Sequence, residues 1–575
     1  MSFEHRPSPA RVTEAAAAKL PRWMFFGLLA VYIVPGLFVR DPWSLEDASA
    51  FGVMWTMAHG GAAEWWLPSV VGEPLPEEGP LPFWIGALMI RLFGGIFGDI
   101  VAARFVTVLW FLLAATSLWY ATYRLARRPE AQPVAFAFGG EANTRDYGRT
   151  LADIAVLLML ATIGIVLRLH ETVAETALFA FVAMLLLALA VSLEDPWKGT
   201  VGAGIALAAV ALTRGLLPAG ALLIAALIFV LSFGRHRALR AILLIAIAAA
   251  LFAAWPLAAQ KATPQAVLYF DAWWAWNARE LRGPSVSSVM WFVRNVGWYT
   301  WPLWPFALWT LYSWRSFWRR PHVLLPLLIA LASLFALLIA ADPSDRELIA
   351  VVPALVVLGA FSVSTLRRAA DNAIDWFSLV LFTLALLAVW VYFGAWNAGI
   401  PPKMAASVAR LVPGLDASVP IGATAISIAA TVGWLALASW RVRRRPKMLW
   451  RGPFFAAGGL AAVWVVVVSL YAAPIEYTRS YASTAAVLAA QVRRVAGDGC
   501  VQGHHLPAGV RAMLAYHGGV NFGPQFASPV ACRVAIHRDS ERTTSDDEPL
   551  RGWKVAYEFT RRARYDEVFR VWVRN

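Results

Sequence analysis

Long apolar runs recur along this chain, separated by short polar stretches that carry most of its charges. At about 20 apolar residues per membrane crossing, the pattern predicts helices near 24–39, 101–122, 151–168, 176–193, 200–213, 216–233, 239–257, 296–314, 323–341, 348–366, 376–396, 421–440 and 452–472. Thirteen crossings put the two ends of the chain on opposite sides. A further apolar segment, 81–97, is long enough to span, but counting it would move the arginines after it to the wrong side. It is expected as a helix lying along the outer membrane face. After Tyr471 the hydropathy falls. Helix-like pieces at 481–495 and 507–517 there alternate with short strand-like runs around Cys500, Cys532 and Val568, the pattern of a small α/β domain.

Composition narrows the class. A chain that is 59% hydrophobic and 15% charged is expected to be a polytopic α-helical membrane protein. Its net charge of +14 would suggest a nucleic-acid partner in a soluble protein. Here the basic residues sit between apolar runs, at Arg124/Arg127/Arg128, Lys198, Arg235/Arg237/Arg240, Arg315/Arg319/Arg320, Arg367/Arg368 and Arg441 to Lys447. Membrane orientation accounts for them, with each cluster on the cytoplasmic side, and no nucleic-acid partner is expected. Residues 1–23 then form a cytoplasmic segment, 24–472 a transmembrane domain with a first outer loop at 40–100, and 473–575 a soluble outer domain. The first apolar run lacks a cleavage site and reads as a retained span. Cys500 and Cys532 are the only cysteines and fall on the oxidising side, which makes them disulfide candidates if their β-carbons face each other.

The chemistry concentrates in the first outer loop. Between Asp41 and Glu78 it carries seven carboxylates and no Lys or Arg, together with Trp65, Trp66 and several prolines. Such a loop beside a membrane helix suits a cationic or hydroxylated group held near the lipid surface. Glu46 and Asp47 stand out as an adjacent pair; they also read simply as acids favouring the start of a helix, a contribution of about 1 kcal/mol. Glu175 opens an apolar span, where a carboxylate usually lines a cavity or has a partner. Arg214 sits at the outer end of two spans, against the positive-inside bias, and a guanidinium fork suits phosphate. Arg279, Arg282 and Arg294 in the outer loop 258–295 are similar candidates, beside Trp273, Trp274 and Trp276, which read first as an interfacial aromatic belt. His170 next to Glu171 lacks a second positioned histidine, so no metal site is assigned. No phosphate-cradling or dinucleotide motif supports a nucleotide-sugar donor; no cofactor is expected, and a divalent cation is compatible with the chemistry.

The order of features resembles the GT-C glycosyltransferases of the aminoarabinose transferase and protein O-mannosyltransferase superfamily. Glu46-Asp47 leads through a helix to Met57 and then to Glu64-Trp65-Trp66-Leu67-Pro68, as an acidic pair, a Met-ended helix and Gly-Asp-Trp with Pro do in that family. The family's Glu-Lys-Pro-Pro-Leu-Phe-Tyr-Trp corresponds to Glu77-Glu78-Gly79-Pro80-Leu81-Pro82-Phe83-Trp84, so Glu78 stands where a lysine would contact the donor phosphate. Glu175 matches the acid of the fourth span, Leu212-Thr213-Arg214-Gly215 the Leu-Thr-Lys-Gly turn, and Ser344-Asp345-Arg346-Glu347 a Ser-x-Arg turn that lacks the family's aromatic residue.

The resemblance implies an inverting transferase in the bacterial inner membrane. It would move a sugar from an undecaprenyl-phosphate carrier to a lipid A, glycan or protein acceptor on the periplasmic face. Such a reaction needs cations for the departing phosphate and a carboxylate beside the acceptor. Asp47 is the first choice for that carboxylate and Glu46 the second, with Glu77, Glu78, Glu175, His170, Arg214, Arg279, Arg282 and Arg346 around donor and acceptor. A transporter for a lipid-linked substrate would instead place its acids inside the spans, and a non-catalytic scaffold of the same fold would scatter these residues.

Overall fold

The computed structural model describes residues 8–574 apart from 39, 342, 445–446, 498, 524–531, 541–551 and 562–566. Each predicted apolar segment holds a helix. Among the described residues seven helices are long and apolar enough to cross a membrane alone, and an eighth span arises if Thr144–Leu160 is joined to Ile163–His170 across a 61° bend. The segment expected as one span at 296–314 is two helices, Val286–Tyr299 and Leu303–Ser313. Pro302 lies at the break, where its ring and missing N–H prevent a continuous helical ladder.

The bundle is layered by burial. Ala174–Val191 is its axis: 83% of its most apolar window is buried inside the protein, against Asp99–Ala126 on one side and Pro196–Arg214 on the other. Ile421–Arg444 is as plainly apolar, yet only 11% of its window is buried. An apolar helix left uncovered by its own protein belongs against lipid. At one end of the bundle, residues 8–20 form a strap: Ala10 and Val12 accept from the amides of Val134 and Ala142, and Thr13 bridges Glu141. The loop 129–150 holds this strap in place.

The opposite end is built from the first outer loop and the tail. Leu45–His59 is capped by Ser44, whose Oγ accepts from the Asp47 amide at 3.0 Å. Leu81–Phe97 packs on it, with Gly86 directly under Met54, and turns at Gly98 into Asp99–Ala126. The tail contains a four-stranded sheet in the order Val501–His504, Val534–Ser540, Glu567–Arg574, Trp553–Arg561. The first pair is parallel with Val501 opposite Val534, which places Cys500 beside Cys532; the two are joined by a disulfide with α-carbons 5.3 Å apart.

This tail is not a separate body beside the membrane domain. Ala508–Gly518 lies across Leu45–His59, and a β-carbon on Gly52 would come within 2.5 Å of the Ala512 methyl. Arg511 reaches across to the hairpin Ser69–Val70/Glu73–Pro74, donating to the Val71 carbonyl at 2.8 and 3.1 Å and to the Gly523 carbonyl at 3.1 Å. A fully buried guanidinium that donates through Nε and Nη2 to backbone carbonyls, with Nη1 3.8 Å from the Glu73 carboxylate, pins the loop and the tail into one piece.

Candidate active site

An open cavity of about 230 Å³ lies where five parts of the chain meet. The loop helix contributes Glu46, the following loop Glu77 and Glu78, the start of Ala174–Val191 contributes Glu175, and Arg346 closes one side. Pro507 and Gly509 from the tail complete the wall. The close approach of loop and bundle depends on Gly79. Its amide donates to the Thr213 carbonyl at 3.1 Å, and a β-carbon there would fall 2.0 Å from the Leu212 carbonyl oxygen. Glycine at this position is what brings Glu78 against Arg214.

Every arginine of the cavity is held by carboxylates. Arg214 donates to Glu78 Oε1 at 3.2 Å and to Glu347 Oε1 at 2.6 Å. Arg346 is paired with Glu46. Arg168, just behind, meets Glu171 at 2.9 Å and Asp345 at 3.7 Å. Acids outnumber bases here, and Glu78 feels the excess: burial, then the nearby Glu175 and Glu77, push its carboxyl up to about 8 against the pull of Arg214. Glu77 is exposed at the rim and makes no ion pair among the described residues. On the far side of Arg214 a narrow cleft of about 50 Å³ runs between membrane helices, lined by Leu217, Leu222, Trp276 and Leu337. Arg214 and Glu347 therefore stand at the junction of an apolar cleft and a polar cavity.

Asp47, the first candidate from the sequence, does not line that cavity. It is fully buried. Its Oδ2 meets Arg40 Nη1 at 3.1 Å, Arg104 Nη2 at 3.5 Å and the Trp43 amide at 3.3 Å, while Oδ1 accepts from the Thr172 amide at 2.9 Å. Burial alone would push its carboxyl up. The guanidiniums of Arg104 and Arg40 and the two amides outweigh that and hold Asp47 below the ordinary carboxylate range. Such a carboxylate has no free face for a substrate.

His170 belongs to the same buried knot rather than to a binding surface. Its Nδ1 lies 2.5 Å from the Val166 carbonyl and its Nε2 2.7 Å from the Tyr32 carbonyl, so neither nitrogen is open to a ligand. Among the described residues no group of three or more His, Cys, Asp or Glu side chains could hold a metal ion. Arg279 and Arg282 are exposed and line neither cavity nor cleft, because Ala266–Glu280 turns Trp273 inward and leaves both arginines outside. Trp276, from the same helix, lines the cleft beside Arg214, which goes beyond an interfacial belt.

Two participants had no signal of their own in the sequence. Glu347 was visible only as the residue after Arg346, yet it completes the clamp on Arg214 and accepts from the Ser344 amide at 3.0 Å. The tail's Pro507–Gly509 wall follows from the packing of Ala508–Gly518, which no local pattern announces.

No protein-family profile matches the sequence, and no curated protein does. Among solved structures the chain resembles ArnT from Cupriavidus metallidurans bound to undecaprenyl phosphate, at 17% identity and a TM-score of 0.66, covering 96% of this chain and 97% of that one. ArnT of the same organism in the apo state gives 16% identity and a TM-score of 0.64, with 95% and 97% covered. The chain thus has the GT-C fold over nearly its whole length.

Proposed function

We propose that the chain is an inverting glycosyltransferase that takes a sugar from a polyprenyl-phosphate carrier and passes it to an envelope acceptor at the periplasmic face of a bacterial inner membrane. The observation that carries this reading is the position of Arg214, a cation between an apolar cleft among the membrane helices and an acidic cavity suited to a hydroxylated or amino sugar. The shared fold with a protein bound to undecaprenyl phosphate supports it.

The donor phosphate would lie against Arg214 and Arg346, and the sugar against Glu175 and Glu77. An acceptor hydroxyl oxygen attacks the anomeric carbon as the carbon–oxygen bond to phosphate breaks, and the phosphate leaves with the electron pair. The acceptor proton passes to Glu46, the accessible member of the Glu46-Asp47 pair. Glu46 is paired with Arg346, and a phosphate that draws Arg346 toward itself would leave the carboxylate oxygens free to accept the proton. The glutamate at position 78, where the family has lysine, takes a proton more readily than an exposed acid and in that neutral form leaves Arg214 for the phosphate.

The test is transfer of label from radiolabelled undecaprenyl-phosphate sugars into envelope lipids, glycans and proteins, in membranes carrying the native chain or Glu46→Gln. Label in one acceptor fraction that disappears with the variant is the expected result. No label from the native chain across a panel of pentose, hexose and amino-sugar donors contradicts the reading.

A further inference from the structure

A second, larger groove lies at the end of the bundle away from the acidic cavity. It has a volume of about 770 Å³ and is enclosed by Arg22–Ile33, Asp99–Ala126 and Thr144–Leu160. Its walls are apolar, from Phe25, Leu29, Phe111 and Val156. Its outer lip is formed by side chains that the protein leaves uncovered, with Phe26 61% and Tyr120 50% exposed. Its mouth carries three arginines, Arg22, Arg145 and Arg149.

The three arginines are not equivalent. Arg22 Nη1 donates to Asp153 at 3.0 Å, and the same buried oxygen accepts from Trp119 Nε1 at 2.7 Å. Asp146, the other acid nearby, accepts from Asn143 and lies 3.9 Å from Lys19. Both local carboxylates are thus committed, while Arg145 and Arg149 make no hydrogen bond or ion pair among the described residues. They sit one helical turn apart on Thr144–Leu160, at positions i and i+4, so one anion can meet both.

We propose that this groove binds an anionic phospholipid, its phosphate between Arg145 and Arg149 and its acyl chains along the groove. Charge complementarity selects the headgroup: two guanidiniums that make no hydrogen bond or ion pair among the described residues stand above an apolar trough, and together they match a phosphodiester with attached chains. The site is separate from the acidic cavity and does not depend on the transfer reaction. It gives the protein a lipid contact at the end of the bundle away from the acidic cavity.

The test is native mass spectrometry of the full chain, purified in detergent and mixed with phosphatidylglycerol or phosphatidylcholine, for the native sequence, Arg145→Gln and Arg145→Gln/Arg149→Gln. At about a fivefold contribution per arginine, the native chain is expected to retain one phosphatidylglycerol about 30-fold better than phosphatidylcholine, the single variant about fivefold better and the double variant equally. Thr116→Trp, which fills the groove from an exposed position without touching a charge, is expected to lower retention of both lipids. Excess inorganic phosphate should not displace the lipid. Equal retention of both lipids by the native chain, selectivity undiminished by Arg145→Gln or surviving in Arg145→Gln/Arg149→Gln, or displacement by inorganic phosphate alone would overturn the proposal.

Discussion

Two clusters of arginines and carboxylates lie side by side at the cavity end, and they differ in one respect. In the knot around Asp47, every partner is an immovable group: Arg40, Arg104 and two backbone amides, all sealed from solvent. In the cavity, Glu46 pairs with Arg346 and Glu78 with Arg214 across an open space, through side chains that are still partly accessible. The chemistry of the residues is the same. A charge pair sealed in the interior holds structure, while one at a cavity wall can exchange its partner for a ligand. Glu46 and Asp47 are neighbours in sequence and fall on opposite sides of that line.

The comparison is broken most severely by Asp47→Ala. It leaves Arg40 and Arg104 buried without their carboxylate, at a cost of about 3–5 kcal/mol, and is expected to lower the thermal midpoint sharply and deplete folded protein in detergent. Next in size is Arg214→Gln. Losing a charge-assisted contact of about 1.5–3 kcal/mol should weaken binding of undecaprenyl phosphate about 10- to 100-fold, read by titration of the purified protein.

Glu78→Gln sharpens the contrast through pH. Because its folded carboxyl is raised from 4.5 to about 8, the penalty for its charge is absent below the ordinary value and grows as pH rises to about 8. Stability and donor affinity should both fall over that window in the native chain, and Gln, neutral throughout, should flatten the slope in melting curves and titrations. The smallest effect is expected for Arg279→Gln/Arg282→Gln, which should leave donor affinity within about twofold, as for surface changes of about 0.5 kcal/mol. A tenfold loss there would place donor phosphate outside the cavity described.

The apolar rhythm of the sequence carried the helices, because a 20-residue lipid-compatible run has few other fates. It also carried the convergence of Glu77, Glu78, Glu175, Arg214 and Arg346, since each closes or opens an apolar run at the same face. Which of Glu46 and Asp47 faces the cavity was not legible. Consecutive residues on a helix point about 100° apart, and the direction was settled by Arg104 and Thr172, far away in the chain. The same blindness placed Arg279 and Arg282 in the site: a short interfacial helix buries one stripe, and here it buried Trp273. The tail reads as a small α/β unit, but its docking through Gly52, Ala512 and Arg511 is a matter of surface fit that no periodicity encodes.

The most direct test of the partition sets Glu46→Gln beside Asp47→Asn, measuring labelled-sugar transfer and thermal midpoint on the same preparations. Glu46→Gln is expected to melt like the native chain while transfer falls about 10²- to 10⁴-fold, the range for a lost general base; Asp47→Asn is expected to melt well below it, with transfer falling only in step with the folded fraction. A stable Asp47→Asn protein that cannot transfer, together with a Glu46→Gln protein that transfers normally, would contradict the account.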